Sequence, residues 1–229
     1  MSSERGAGVR AFPTAGSAHP REPGSVDRVA KRVFDATVAG AGLLASMPLW
    51  LVVALAVKLE DGGDVFYSQD RAGRDGRVFR VFKFRSMIQN AEAGVGALQA
   101  SDGDPRITRT GRWLRATAMD ELPQLWSIFR GDMSFVGPRA LRPGEIETTG
   151  DGRVEALEDV PGYQLRSSVV PGLTGIAQIY AARDLTRRQK FRYDRVYIRR
   201  QSFLLDMRLI ALSFWISFRG QWEVRGRKF

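Results

Sequence analysis

The spacing of apolar positions changes several times along this chain, and each change marks an element. Residues 36–57, ATVAGAGLLASMPLWLVVALAV, are 22 positions without a charge, about the length a helix needs to cross a bilayer core. Ser46 and Pro48 sit near the middle of this run. Proline removes a backbone hydrogen bond and serine can satisfy a freed carbonyl, so a kink or turn is expected there. Arg28, Lys31 and Arg32 precede the run and a basic body follows it. Basic flanks favour the cytoplasm, so a re-entrant helix-break-helix over residues 27–60, dipping into the membrane and returning, satisfies both ends. A straight span and a buried core helix are the alternatives. The run begins too far from the N-terminus, and lacks the cleavage site, for a signal peptide.

Beyond it the period shortens. Residues 64–69 (DVFYSQ) and 77–84 (RVFRVFKF) are β-rich and separated by DRAGRDG, which predicts a small β-hairpin. Alternation places Phe79, Val81, Lys83 and Arg85 on one face, either as paired site cations or as the charged guard of an edge strand. Residues 90–103 read as a helix running into a loop. Arg106, Arg109, Arg112 and Arg115 recur every third residue, a basic stripe that Gly111 is expected to interrupt. In MDELPQLWSIFRG a helix starting near Asp120 puts Pro123 in its first turn, where a missing N–H costs little, and Gly131 ends it. Residues 203–218 (FLLDMRLIALSFWISF) suit an interfacial helix or a core helix. The basic run 185–200 suits anionic headgroups or a solvated face. Residues 1–26 have the composition of a disordered tail. The fold class expected is α+β and helix-rich, membrane-associated (monotopic), with residues 61–229 as a cytoplasmic catalytic domain carrying interfacial helices.

A chain of 229 residues can bury one core. Its net charge of +10 asks for an acidic partner: nucleic acid, an anionic membrane face or a phosphorylated small molecule. Cysteine is absent and the single histidine, His19, lies in the tail, which excludes thiol chemistry, a His/Cys zinc site and a Ser-His-Asp triad. A nucleophile must then be Asp, Glu, Ser, Thr, Tyr or Lys. The adjacent Asp120 and Glu121 stand out, because arginines crowd the sequence around them. Guanidinium groups keep nearby carboxylates ionised and grip phosphate oxygens two at a time.

Six segments occur in one order: FKFRSM (82–87), RITRTGRWLR (106–115), DELPQL (120–125), GDMSFVGPR (131–139), VPGLTGIAQI (170–179) and the YDRVYI and SFLLDM runs within 193–207. Together, over residues 27–218, they resemble the bacterial sugar transferase family, the monotopic phosphoglycosyl transferases, in its compact form without additional N-terminal spans. The resemblance implies transfer of a sugar 1-phosphate from a UDP-sugar to a polyprenol (undecaprenyl) phosphate with release of UMP, the first membrane-committed step of bacterial surface polysaccharide or glycoconjugate assembly. It implies Asp120 and Glu121 as the catalytic pair, a Mg²⁺ requirement that these two carboxylates would meet, and Arg139 as a phosphate-binding residue. It also implies Ser46 and Pro48 at the break of a re-entrant helix. Where the family often has Ser, Asn and Pro, this chain has Ala118, Ser127 and Ala140; none of these removes a charged group.

On this basis Asp120 is expected to attack the phosphorus bearing the sugar, giving an aspartyl-phosphosugar, with Glu121 binding Mg²⁺ or orienting the acceptor. Arg139, Lys83, Arg85, Arg112 and Arg115 are the expected anion binders. Gln178 and Asp194 are candidates either for substrate contact or for structural hydrogen bonds. The expected partners are the donor, the lipid acceptor and the bilayer at the cytoplasmic face of the inner membrane, with no nucleic acid; a homo-oligomer is compatible. The rival is a non-catalytic basic module that docks anionic lipid or nucleic acid.

Overall fold

The computed structural model describes residues 25–91, 103–148, 152–182, 185–220 and 222. The expected tail over residues 1–26 and the expected helix and loop over residues 90–103 lie almost wholly outside them. The described residues form a helix-rich α+β fold with a long apolar helix at its start.

Helix α1 (Ser25–Asp61) contains the whole uncharged run. Its helical backbone continues through Ser46 and Pro48, so the expected helix-break-helix is one helix. Side chains occupy the turn that proline disturbs: Ser46 Oγ donates to Leu43 O at 3.2 Å and accepts from Trp50 Nε1 at 3.0 Å. One stripe of α1 is packed, with Ala39, Val53 and Val57 buried, while Leu44, Leu51 and Leu59 are each over 70% exposed. Among the described residues α1 is the one helix long and apolar enough to cross a membrane.

Strands β1 (Phe66–Ala72) and β2 (Val78–Phe84) form the expected antiparallel hairpin, registered from Phe66↔Phe84 to Ala72↔Val78. Val81 faces inward with Phe79 and Lys83 beside it, as alternation requires. Phe84 is buried as well, because Trp50 and Phe66 cover it with ring centroids 5.5 and 5.3 Å away.

Helix α2 (Arg109–Thr117) begins at Thr108, whose side chain accepts from Gly111 N at 2.9 Å. Gly111 does not interrupt the basic stripe as expected. It sits in the first turn, where a Cβ would lie 2.0 Å from Ser86 O, and so lets α2 touch the end of the hairpin. Ala118 then closes α2 in the left-handed conformation, φ 57°. A 3₁₀ turn (Met119–Gln124) carries Asp120, Glu121 and Pro123 and leads into α3 (Leu125–Arg130), which Gly131 ends at φ 95°. The expected helix start and stop are thus present, with the first turn wound more tightly.

Strand β3 (Ser134–Val136) precedes the Gly-Pro-Arg segment, and β4 (Ile146–Thr148) pairs with β5 (Val154–Ala156) in a second hairpin. Helix α4 (Tyr163–Ser167) leads to β6 (Gly172–Thr174), which pairs in parallel with β3. Helix α5 (Ile176–Tyr180), the box-capped α6 (Arg187–Arg200) and α7 (Phe203–Phe218) complete the order. Helix α6 buries Phe191, Asp194, Tyr197 and Ile198 and turns Arg188, Arg192, Arg195 and Arg200 outward. Helix α7 combines both expected readings: Asp206, Leu209 and Ile216 are buried, whereas Leu204, Phe214 and Phe218 are close to 80% exposed.

Both ends of α1 are tied to this one body. Near its start Lys31 Nζ donates to Asp206 Oδ2 at 2.5 Å and to Val136 O at 3.1 Å, and Arg32 caps α3 through Ile128 O and Phe129 O. At its end Glu60 accepts from Arg109 N and Thr110 N at 2.6 and 3.1 Å, and Asp61 pairs with Arg85. Between these ties, Gly40 and Gly42 let α1 approach Phe129 and Leu125 closely.

Candidate active site

A cavity of about 780 Å³ opens between the β1–β2 hairpin, the Met119–Gln124 turn, the segment after β3 and helices α4 to α6. Asp120 and Glu121 both line it. They arrive there because Ala118 reverses the chain after α2, so the 3₁₀ turn delivers two successive carboxylates beside strand β2. Nine basic and five acidic residues line the cavity among those described, so an anion entering it meets a net positive field.

Lys83, inward on β2, forms an ion pair with Glu121. Burial raises the Glu121 pKa, but the charges of Lys83 and Arg139, the Lys83 hydrogen bond and the charge of Arg71 outweigh it. The carboxyl is held below its ordinary range. Asp120 is 8% exposed and faces the same cavity.

The Gly-Pro-Arg segment is set by backbone packing. A Cβ on Gly172 would lie 2.0 Å from Gly137 N, and one on Gly175 would lie 2.4 Å from Gly137 O. Gly137 N donates to Thr174 O at 2.9 Å and Gly172 N to Pro138 O at 2.8 Å. Close approach of the two chains requires glycine at these positions. Gln178 donates from Nε2 to Gly137 O at 3.3 Å beneath this segment. Arg139 emerges from it into the cavity.

Asp194 makes a structural contact: its Oδ2 accepts from Arg166 Nε at 3.0 Å, with both side chains about 95% buried. Burial pushes the Asp194 carboxyl up, against the Arg166 charge and hydrogen bond that lower it. Arg166 in turn donates from Nη2 to Arg139 O and stacks its guanidinium 4.7 Å from the Phe191 ring centroid. Gln178 and Asp194 therefore brace the Arg139 segment, one directly and one through Arg166.

Of the other expected anion binders, Arg85 and Arg115 line the cavity. Arg85 is buried and its Nε and Nη1 atoms have no hydrogen-bond partner, while Nη2 pairs with Asp61 at the end of α1. Lys83 and Arg85 thus share the cavity but not a partner. Arg112 is not among the lining residues. Helix α2 buries Gly111 and Leu114, and the 100° step from Gly111 turns Arg112 into solvent. Sequence reasoning missed Arg71, Arg142, Arg166 and Glu145, which also line the cavity. The period-2 face of β1 was a usable signal for Arg71; the others are placed by tertiary contacts.

Two adjacent carboxylates and bound phosphate oxygens make a donor set suited to Mg²⁺, which takes one or two carboxylates and keeps the rest of its sphere for water and substrate. Among the described residues no cluster of three His, Cys, Asp or Glu side chains is assembled, so phosphate oxygens would have to complete such a site.

The sequence model of the bacterial sugar transferase family matches residues 26–220. The chain is 44% identical over 196 residues to the undecaprenyl-phosphate glucose phosphotransferase of Komagataeibacter xylinus, covering 82% of this chain and 35% of that protein. It is 41% identical over 201 residues to the UDP-glucose:undecaprenyl-phosphate glucose-1-phosphate transferase of Caulobacter vibrioides, covering 83% and 72%. It is 34% identical over 208 residues to the exopolysaccharide production protein ExoY of Sinorhizobium fredii, covering 83% and 88%. The chain spans about a third of the K. xylinus protein and most of ExoY. The matched stretch takes in every element from α1 to α7, the dyad turn and the cavity around it included, and the chain belongs to the bacterial sugar transferase family.

Proposed function

We propose that this protein moves a sugar 1-phosphate from a UDP-sugar to undecaprenyl phosphate at the cytoplasmic face of the inner membrane, releasing UMP. The observation that carries this reading is the Asp120–Glu121 pair facing a cavity of net positive charge within the matched region. The K. xylinus and C. vibrioides relatives carry undecaprenyl phosphate in their names, which supports the acceptor class. A basic docking module would leave two carboxylates in that cavity without a role.

The chemistry follows from the charges. An Asp120 carboxylate oxygen attacks the phosphorus that bears the sugar; the bond from that phosphorus to the bridging oxygen breaks, and the electron pair leaves with UMP. An oxygen of the polyprenol phosphate then attacks the same phosphorus, breaking the acyl phosphate and restoring the Asp120 carboxylate. Repulsion between carboxylate and diphosphate opposes the first step, and the surrounding guanidinium groups offset it. Lys83 fixes Glu121 in its ionised form beside the nucleophile, where Glu121 can orient the acceptor. Mg²⁺ held by Asp120, Glu121 and donor phosphate oxygens would supply further charge neutralisation.

The two ties of α1 support a monotopic placement, with both of its ends on one side of the membrane. A segment near its start and its last turn both bond to the same body, through Lys31 and Arg32 and through Glu60 and Asp61. A straight crossing would carry one of those ends away from the body. The exposed apolar stripe of α1, Trp126 and Phe129 on α3, and Phe214, Trp215 and Phe218 on α7 then furnish the lipid-facing surface. The test is UMP release by the purified protein in nanodiscs with undecaprenyl phosphate, Mg²⁺ and a panel of UDP-sugars. Release from at least one donor, dependent on the lipid, is expected; no release from any would contradict the reading.

A further inference from the structure

Arg71 and Arg142 lie in none of the six sequence motifs, yet both line the dyad cavity. Arg71 is on β1 two residues beyond Gln69 and four beyond Tyr67, which also line the cavity, and Tyr67 is paired with Lys83 across the hairpin. The same strand face therefore carries Arg71 and the partner of the residue that grips Glu121. The end of β1 is joined to the segment after Arg139: Ala72 N donates to Leu141 O at 2.8 Å and Arg71 Nη1 to Ala140 O at 3.0 Å. This join brings the guanidinium groups of Arg71, Arg139 and Arg142 into one field. Burial, Arg139 and Arg142 together lower the Arg71 pKa to about 10, against the opposing charges of Glu145 and Glu121. Both acids already hold other cations, Glu145 bonding Arg187 at 2.6 Å and Glu121 bonding Lys83. Three neighbouring guanidinium groups suit a doubly charged phosphate, whose oxygens accept paired N–H bonds.

Within the proposed double displacement, the leaving UMP and the entering polyprenol phosphate present the same chemical group, a phosphomonoester. Each must stand in line with the same phosphorus, opposite Asp120, because bond breaking in the first step and bond making in the second use one face of that phosphorus. We infer that Arg71 and Arg142, together with Arg139, form a single phosphomonoester subsite occupied in turn by the nucleotide and by the lipid headgroup. The inference rests on the covalent route for its shared use, and on the cavity alone for phosphomonoester binding.

The experiment uses the full chain in nanodiscs and compares wild type with Arg71→Met, Arg71→Lys and Arg142→Met. Two quantities are read: UMP binding by calorimetry, and KM for undecaprenyl phosphate in the UMP-release assay. Each Met variant is expected to weaken UMP binding at least about tenfold and to raise the acceptor KM by a similar factor, with Arg71→Lys between them and wild type. UMP is expected to compete with undecaprenyl phosphate. Unchanged UMP binding in Met variants that melt like wild type would overturn the subsite, and weakening of one ligand alone would overturn its shared use. Should Arg71→Met fail to fold, the Arg142 variant, at a partly exposed position, and the charge-conserving Lys variant keep both readouts available. Failure of the transfer reading would appear separately, as wild-type protein that releases no UMP from any donor.

Discussion

Lys83 and Glu121, 38 residues apart in sequence, form an ion pair at the floor of the cavity, each side chain 19% exposed. The pair locks strand β2 to the dyad turn. Lys83→Met leaves Glu121 facing that floor without its nearest cation, at a cost of roughly 1–3 kcal/mol in stability. It should also lower kcat/KM about a hundredfold, the scale on which loss of one electrostatic contact acts. Urea unfolding and steady-state UMP release measure the two effects, and Lys83→Arg should restore most of the first and part of the second.

The pH dependence of stability has a definite sign. Glu145 is held below its ordinary pKa: burial raises it, but Arg187, the Arg142 backbone N–H and Arg71 prevail. The folded state thus binds that proton less tightly than the unfolded chain, so its stabilisation is complete above the ordinary value of 4.5 and is lost as pH falls through the folded one. Glu121 acts in the same direction. Asp194, pushed up by burial, acts oppositely: its contribution is complete below 3.8 and fades as pH rises through the folded pKa. Glu145→Gln should flatten the acid limb below the ordinary value of 4.5, read as urea midpoints over that descent. An acid limb as steep as that of wild type would contradict the assignment.

Gly172→Ala places a methyl group 2.0 Å from Gly137 N. Backbone on both sides leaves no flexible atom to yield, so the Gly-Pro-Arg segment must move. Stability should fall by roughly 1–3 kcal/mol, as overpacking does, and activity should fall further than the fraction unfolded explains, because Arg139 moves with the segment. Melting curves and kcat on the same preparation separate the two.

An N-terminal tag should be inaccessible from outside intact cells, since both ends of α1 bond to one body. Pro48→Leu removes the residue expected to disfavour a straight crossing. Lys31→Met removes the N-terminal tie to Asp206, so the double variant Lys31→Met/Pro48→Leu should expose the tag to external protease. A tag that stays protected in the double variant would count against these two features as determinants of topology.

Much of this architecture was legible in the chain. The uncharged run, the hairpin and its inward Lys83, and the Gly131 stop follow from period and turn chemistry, which are local. One local expectation gave way to a tertiary contact, as Gly111 stays helical because Ser86 needs the space, and another to bonds inside the helix, as Pro48 is accommodated within α1, where Ser46 occupies the disturbed turn. Arg112 turned outward because the phase of α2 is set by the burial of Leu114, which an arginine repeat does not encode. Period 2 along β1 puts Arg71 on the face of Tyr67 and Gln69, but the roles of Arg142 and Arg166 were hidden for a different reason: each depends on a strand or helix meeting the segment after β3, a contact that no spacing within the sequence expresses.

The central claim is that the Asp120 carboxylate becomes esterified to the sugar phosphate. Purified protein in nanodiscs, given a turned-over UDP-sugar and Mg²⁺ without lipid acceptor, should gain the mass of one sugar phosphate on the peptide containing Asp120, and undecaprenyl phosphate should discharge it. Asp120→Asn should show neither the adduct nor turnover. Lipid-dependent UMP release by Asp120→Asn at a rate near that of wild type would contradict the account.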